Sequence, residues 1–158
     1  MSEAQPVTID RVDPVGAAAQ ACIAAYLREL ALRFPEGFDA SRGPSAAPDD
    51  LVPPKGVLLL AHRGSEAVAC GALKVLAPGL GEIKRMWVSP TARGLGIAQR
   101  LLEALELEAR ALGLRIVRLD THRVLVEARA MYARNGYREI AAYNDNPYAH
   151  HWFEKELA

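Results

Sequence analysis

The sequence predicts an α/β (α+β) fold in which a mixed, centrally antiparallel sheet is flanked by helices. Three apolar runs joined by short turns that contain glycine lie between residues 57 and 89, and a strongly amphipathic helix and a further strand follow them. Hairpin-linked strands pair antiparallel, whereas a strand–helix–strand unit makes a right-handed crossover between parallel strands. Both kinds of pairing are therefore expected in one sheet.

The individual elements follow from the periodicity of the apolar residues. Alternation of apolar and polar residues predicts the strands, and apolar residues that recur with a period of about 3.6 predict the helices. Pro35 ends the first helix, and Gly113 and Gly136 are good stops for the other two. The predicted strands are 7–12, 57–62, 67–77, 82–89, 114–121, 137–143 and 152–157, and the predicted helices are 15–34, 95–112 and 124–135.

The segment from 37 to 56 shows no clear periodicity and contains four prolines among serine, alanine and aspartate residues. It is long for a loop within one domain. We expect a mobile connection or a flap that faces the substrate, and a short helix within it is the alternative.

Length and composition limit the kind of protein. A chain of 158 residues, 51% of them hydrophobic, suits a single domain over 1–158. Equal numbers of basic and acidic residues, 19 of each, argue against a nucleic-acid partner. No apolar run reaches the roughly 18 residues of a membrane span. Cys22 and Cys70 form no CxxC pair, which favours a reducing, cytoplasmic location.

The neutral total hides an uneven distribution of charge. Residues 1–81 carry a net charge of −2, residues 82–138 a net charge of +5, and residues 139–158 a net charge of −3. The basic block fits either solvated outer faces of helices rich in arginine or a field that attracts an anionic ligand.

The most informative segment is 88–98, where a strand ends and the amphipathic helix begins. A helix N-terminus presents unpaired N–H groups and a partial positive charge, which favours an anion. Gly94 and Gly96 allow close approach to the backbone, and Arg93 adds a phosphate-binding guanidinium. A phosphate-bearing ligand is the prediction, and a mere tight turn is the alternative. Gln99 replaces the third glycine of a dinucleotide fingerprint, and no Gly-Lys-Ser/Thr loop occurs.

Three segments together resemble the GNAT superfamily of acyl-CoA-dependent N-acyltransferases. The core motif, Arg/Gln-x-x-Gly-x-Gly/Ala, is matched by Arg93-Gly94-Leu95-Gly96-Ile97-Ala98. The flanking motifs resemble residues 82–90 and 128–137, so that the resemblance covers roughly 57–157. Three motifs in the right order are more specific than the glycine pair alone.

This resemblance implies how the chain would bind acetyl-CoA. Arg93 and the N–H groups of Gly94, Leu95, Gly96, Ile97 and Ala98 would hold the pyrophosphate. The backbone of Met86, Trp87 and Val88 would pair with the pantetheine arm. The N–H of Met86 would stabilise the oxyanion that forms from the thioester carbonyl. Many relatives carry an asparagine contact to pantetheine where this chain has Leu125, so that this contact is in doubt.

Glu82 is the expected general base, because the resemblance places a catalytic glutamate at this point and an ammonium acceptor must lose a proton before it attacks. Strand alternation would put Glu82, Lys84, Met86 and Val88 on one face, with Glu82 towards the acyl group. The alternative is an exposed glutamate in an ion pair.

Tyr132 is the expected general acid for the leaving thiolate, because it stands where the family commonly supplies a tyrosine. The alternative is an aromatic residue packed in the core. Two other polar residues stay open: Arg85 meets CoA phosphates or coats a strand edge, and His122 faces the ligand or caps a turn. His150 and His151 are adjacent and point to opposite faces of a strand, so no metal site is expected.

The resemblance implies direct transfer of the acetyl group from acetyl-CoA, as co-substrate, to the primary amine of a small molecule, without a metal. Two alternatives stay open: a non-catalytic sensor that binds acyl-CoA, and acetylation of a protein N-terminus or lysine. Both a monomer and a homodimer fit the sequence.

Overall fold

The computed structural model describes residues 6–43 and 45–157. The ends of the expected domain, residues 1–5 and 158, and residue 44 of the 37–56 segment lie outside this part. The strands are β1 (Val7–Arg11), β2 (Gly56–Arg63), β3 (Glu66–Ala77), β4 (Leu80–Val88), β5 (Ile116–Thr121), β6 (Arg138–Ile140) and β7 (His151–Glu156). The helices are α1 (Ala17–Arg33), α2 (Ile97–Ala111) and α3 (Val126–Arg134), with 3-10 turns at Pro48–Leu51 and Pro90–Ala92.

The described residues form a seven-stranded sheet in the order β1-β2-β3-β4-β5-β7-β6. All neighbours are antiparallel except β4 and β5, which are parallel and joined through α2. The predicted mixed sheet with flanking helices is therefore confirmed. No helix in the described part of the chain combines the length and the apolar character that a membrane span needs.

The expected strand 137–143 is much shorter in the structure, since β6 covers only Arg138–Ile140. The chain leaves the sheet edge there because its polar side chains turn inward. Tyr143 donates to the carboxylate of Glu82, and Asn144 donates to that of Asp120.

Each face of the sheet is covered by a different helix. One core cluster lies under α2, whose buried Leu101, Leu102 and Leu105 pack on the inner residues of β2, β3 and β5. The other lies under α1, whose Ala19, Cys22 and Ile23 pack against Leu58, Leu60, Cys70 and Ala72. The amphipathic pattern of α2 thus covers one side, and the shorter apolar side chains of α1 cover the other.

A bulge interrupts β4 at Arg85. Ala72 pairs with Lys84 and Cys70 pairs with Trp87, so that three steps along β4 oppose two steps along β3. Arg85 is the extra residue, and it adopts a left-handed backbone conformation with φ of 57°. A bulge of this kind re-aims the side chains that follow it.

The bulge makes one expectation wrong, namely that Glu82, Lys84, Met86 and Val88 share a face. Met86 and Val88 pack against the core under α2, on the face opposite to Trp87, which packs under α1. Lys84 lies opposite Ala72 and therefore shares the α1 face. The inserted residue shifts the two-residue alternation by one position, and Glu82 stays with Lys84 on the α1 side.

The parallel pairing of β4 with β5 is short. It joins Leu80–Glu82 to Ile116–Arg118, and the two strands part beyond these residues. Within the described residues no strand pairs with the β5 side of the second half of β4. A cleft and an unpaired strand edge therefore open in the middle of the sheet.

Candidate active site

Two cavities occupy the cleft between β4 and β5. The larger cavity has a volume of about 500 Å³ and lies between β4, the start of α2, and α3. The smaller cavity has a volume of about 150 Å³ and lies under α1 and the 37–56 segment. Four residues line both cavities: Tyr26, Leu30, Met86 and Leu125. The two cavities therefore meet at the bulged end of β4.

The larger cavity brings together almost all of the predicted cofactor-binding residues. Those that line it are Met86, Trp87, Val88, Arg93, Gly94, Gly96, Ile97 and Ala98. Leu95 does not line it, and its side chain is 57% exposed.

The N-terminus of α2 is prepared for an anion. Gly94 and Gly96 have φ of 81° and 76°, a left-handed conformation that glycine adopts without strain. Gly96 is the N-cap residue and contributes no side-chain cap, and the first turn holds no acidic residue. A Cβ added at either glycine would meet no described atom within 4 Å. Space is therefore open beside both glycines, and both line the larger cavity.

Arg93 lines the larger cavity, and its guanidinium has two partners there. Its Nε donates to the carbonyl of Val88 at 3.0 Å, and its Nη2 lies 2.5 Å and 2.7 Å from the two carboxylate oxygens of Glu29. Glu29 also accepts from the indole Nε1 of Trp87 at 3.1 Å. Arg93, which we expected to bind phosphate, is therefore ion-paired with Glu29 of α1.

Glu82, the expected base, is 4% exposed and lines neither cavity. Its Oε1 lies 2.8 Å from Nζ of Lys84, and its Oε2 accepts from the hydroxyl of Tyr143 at 2.6 Å. Burial and then the charge of Glu82 raise the pKa of Tyr143, which keeps that hydroxyl protonated as a donor. Glu82 is a buried anion whose two oxygens are both engaged.

Tyr132, the expected acid, is a residue of α3; it is 4% exposed and lies in the core that α2 covers. Its ring packs against Tyr137 and Phe153, with centroids at 5.7 Å and 6.2 Å. Tyr132 is absent from the lining of both cavities. Burial and then the charge of Asp120 raise its pKa, so its hydroxyl lies within electrostatic reach of that carboxylate.

Asp120, near the end of β5, is the carboxylate that lines the smaller cavity. Asn144 donates to its Oδ2 at 2.7 Å, and Asn146 donates to its Oδ1 at 3.0 Å. Burial raises the pKa of Asp120; the bond from Asn144 opposes this shift, and the negative charge of Glu82 adds to it. A half-desolvated carboxylate with a raised pKa in a cleft is suited to accept a proton.

His122 is buried and forms part of the wall of the smaller cavity. Its Nδ1 accepts from the N–H of Val124 at 3.1 Å, so Nε2 carries the proton and donates to Glu36 at 2.7 Å. The ring stacks on Phe34 with a centroid distance of 3.9 Å. With both nitrogens engaged, His122 packs and orients this wall.

The 37–56 segment covers the smaller cavity. It contributes Phe38, Ala40, Arg42, Ser45 and Ala46 to the lining, and it contains the short 3-10 turn that was the alternative expectation. Arg85 also lines this cavity and not the larger one, with Nη2 donating to the carbonyl of Ala46 at 2.9 Å.

Three residues of the site escaped prediction from the sequence: Tyr26, Glu29 and Asp120. A signal exists for Asp120, because a polar residue near the end of a buried strand often faces a ligand. Tyr26 and Glu29 lie on α1 and reach the site only through tertiary packing, for which the sequence holds no local signal.

Known proteins resemble the chain in sequence and in structure. The acetyltransferase (GNAT) family profile matches residues 23–137. An IAA acetyltransferase of Azospirillum brasilense is 35% identical over 134 residues, which are 84% of this chain and 85% of that protein.

Solved structures match nearly the whole chain. A Klebsiella pneumoniae protein assigned to the acyl-CoA N-acyltransferases is 33% identical, with a TM-score of 0.77 over 96% of this chain and 98% of that one. A GNAT acetyltransferase of Elizabethkingia anophelis with acetyl-CoA bound has the same fold, with a TM-score of 0.63, 18% identity and coverage of 96% and 98% of the two chains.

Proposed function

The chain belongs to the GNAT family of acetyltransferases, and we propose that it transfers the acetyl group of acetyl-CoA directly to the primary amine of a small molecule. The observation that carries this proposal is the meeting of the two cavities at Met86. The larger cavity has the backbone anion site that a CoA pyrophosphate needs. The smaller cavity ends at the same residue and contains a carboxylate. This arrangement brings a thioester and an amine together.

The donor would lie along β4 with its pyrophosphate at the start of α2. The free N–H groups between Gly94 and Ala98 and the guanidinium of Arg93 would bind the phosphate oxygens. The unpaired edge of β4 from Met86 to Val88 would bind the pantetheine amides as a neighbouring strand does. The N–H of Met86 would donate to the thioester carbonyl oxygen as negative charge develops on it.

The acceptor proton would pass to a pair of carboxylates on the α1 face. Asp120 faces the smaller cavity, and Glu82 lies behind it with its negative charge raising the pKa of Asp120. We assign direct contact with the ammonium to Asp120 and support of that carboxylate to Glu82, the residue expected as base. The amine nitrogen would then form a bond to the acetyl carbon, and the carbon–sulfur bond would break.

Tyr132 would give its hydroxyl proton to the departing thiolate. Its raised pKa keeps the phenol protonated at neutral pH. The nitrogen bonded to the acetyl group would lose a second proton, which would restore the Tyr132 hydroxyl, and the first proton would leave Asp120 for solvent. The balanced products are CoA thiol, an N-acetylated amine and one proton.

The small volume of the smaller cavity favours a small molecule over a protein N-terminus or lysine. A cavity of about 150 Å³ bordered by the 37–56 segment suits a small amine better than a peptide backbone. The raised pKa of Asp120 favours an enzyme over a sensor, because binding alone needs no poised carboxylate.

An acceptor screen tests this function. Purified protein with acetyl-CoA is incubated with a panel of amines and of short peptides with free N-termini or lysines, and thiol release and acetylated product are measured. We expect release with small amines and little with peptides. Release only with peptides would support the protein acceptor. Tight acetyl-CoA binding without release for any acceptor would support the sensor.

A further inference from the structure

Arg85 places a positive charge in the smaller cavity. The bulge turns this partly buried side chain to the cavity that holds the acceptor, where one Nη2 bond to the carbonyl of Ala46 anchors it. Within residues 6–43 and 45–157 no carboxylate lies within 4.0 Å of its guanidinium nitrogens. A guanidinium has five N–H donors, so most of them remain for a ligand.

The other charges of the smaller cavity have partners or lie at its rim. Lys84 is ion-paired with Glu82 at 2.8 Å. Arg42 is exposed and lies over the ring of Tyr148, with its guanidinium carbon 5.9 Å from the centroid. Asp120 has two amide donors but no cation within ion-pair distance among the described residues. The interior of the cavity therefore offers one carboxylate and one guanidinium that lack a counter-ion.

These two charges line the same cavity, which has a volume of about 150 Å³, together with Tyr26. A single small molecule in a cavity of this size can therefore contact both charges. The pKa of the Tyr26 hydroxyl agrees with this placement: burial raises it, the charge of Asp120 adds to this shift, and the charge of Arg85 opposes it.

We infer that the acceptor is zwitterionic, with its amine on Asp120 and an anionic carboxylate or phosphate group on Arg85. This inference rests on the proposed function and names the class of its acceptor. Arginine binds carboxylate and phosphate through paired N–H donors, and partial burial strengthens such a bond. Phe34, Phe38 and Tyr148 form an aromatic wall beside these charges, with centroids between 4.8 Å and 5.9 Å apart. That wall suits an apolar body between or beside the charged ends.

The test uses matched acceptors that differ only in the anionic group. Glycine, leucine and phenylalanine are each compared with their amides, and O-phosphoethanolamine is compared with ethanolamine. The measured quantity is kcat/KM from thiol release, confirmed by mass of the acetylated product. In the unchanged protein we expect at least one anionic member to exceed its neutral partner by about 10-fold or more, the range of a charge-assisted bond. The pair that shows the preference identifies carboxylate or phosphate.

The variants assign this preference to Arg85. Arg85→Gln should bring the ratio of kcat/KM for the anionic acceptor to that for its neutral partner close to 1. Arg85→Lys should keep part of the preference for the anionic acceptor, because the positive charge remains. Arg115→Gln removes an exposed arginine at the opposite end of β5 and should leave the ratio unchanged. Calorimetric binding of acetyl-CoA shows whether each variant is folded. If Arg85→Gln is not folded, the kcat/KM ratios of the unchanged protein and of Arg85→Lys are sufficient for the test.

Two results would overturn the inference alone: ratios near 1 for every pair in the unchanged protein, or a full preference in Arg85→Gln. In both cases amines are still acetylated and the proposed function stands. Absence of acetylation with every acceptor would remove the proposed function and this inference together.

Discussion

The larger and the smaller cavity meet at Met86, yet they are built in different ways. The larger cavity takes just over half of its lining residues from one continuous stretch, residues 86–99, which includes the glycine turn before α2. The smaller cavity is assembled from α1, the 37–56 segment, β4, β5 and residues 146–149, and it offers side chains. Under the proposed function, one local segment would supply much of the donor site, whereas selection of the acceptor would depend on side chains that distant parts of the chain bring together.

The sharpest test of this division is Asp120→Asn. Loss of the carboxylate that faces the acceptor should lower kcat/KM by about 10²- to 10⁴-fold, the usual range for a general base. The dissociation constant for acetyl-CoA should stay within about twofold, because Asp120 does not line the larger cavity. Asp145→Asn is the matched control, because this exposed aspartate lies between Asn144 and Asn146, the two residues of the 141–150 loop that donate to Asp120. An equal loss in both variants would show that the loop and not the carboxylate matters.

Tyr132→Phe should come next in size. Removal of the hydroxyl should lower kcat by about 10- to 100-fold and leave the dissociation constant for acetyl-CoA nearly unchanged, because a general acid acts only as the thiolate leaves. Tyr137→Phe is the control, since this buried tyrosine donates to Glu106 at 2.8 Å and should lose stability without losing kcat. Unchanged turnover in Tyr132→Phe would leave Tyr132 as a core residue only.

Gly96→Ala tests the larger cavity on its own. The new methyl group would project into the space that we propose for the pyrophosphate. We therefore expect about 10-fold weaker acetyl-CoA binding, measured by calorimetry. Gly79→Ala is a close control, because Gly79 has φ of 77° against 76° for Gly96 and neither Cβ would meet a described atom within 4 Å. Both variants carry the same backbone strain. Equal affinity in the two would remove the anion site from α2.

Glu82→Gln should have a smaller effect that depends on pH. The negative charge of Glu82 raises the pKa of Asp120, so its removal lowers that pKa. The acid limb of the rate profile, where Asp120 must lose its proton, should therefore move to lower pH. At neutral pH the weaker base should lower kcat by about threefold to tenfold. Glu156→Gln, at an exposed position, is the control, and an acid limb that does not move would separate Glu82 from Asp120.

Glu29→Gln should have the smallest effect, and in the opposite direction. Glu29 occupies the guanidinium of Arg93 and adds a negative charge to the wall of the larger cavity. Its removal should tighten acetyl-CoA binding by about twofold to threefold. Calorimetry at two salt concentrations checks the cause, because the gain should shrink as salt screens the charges. Weaker binding would mean that Glu29 positions Arg93 for the ligand.

Most residues that the sequence predicts to bind the cofactor line the larger cavity, because they lie close together in the sequence. The strand, the glycine turn and the helix follow one another within residues 80–111, and Arg93, Gly94 and Gly96 stand together before the helix N-terminus, where an anion is favoured. The antiparallel hairpins and the parallel pairing of β4 with β5 followed from turns and from one crossover, which are also local features, whereas the positions of β1, β6 and β7 in the sheet were not predicted.

The smaller cavity could not be predicted in the same way. Its shape depends on where α1 and the 37–56 segment pack, and both are far from β4 in sequence. The proposed exchange of roles between Glu82 and Asp120 follows from the bulge at Arg85, which separates the face of Glu82 from that of Met86, and the apolar pattern of β4 shows no sign of an extra residue. Regular alternation was the only available expectation, and it put Glu82 beside Met86.

The bulge at Arg85 has a consequence for how such a chain can vary. Deletion of Arg85 would restore an unbroken strand in which Lys84 and Trp87 stay on the α1 face and Met86 and Val88 stay on the α2 face. The hydrophobic core would therefore tolerate a chain that is one residue shorter. What would disappear is the positive charge in the smaller cavity and the local turn of the backbone beside Met86. The presence or absence of Arg85 would thus change the proposed acceptor site while the packing of the sheet stays the same.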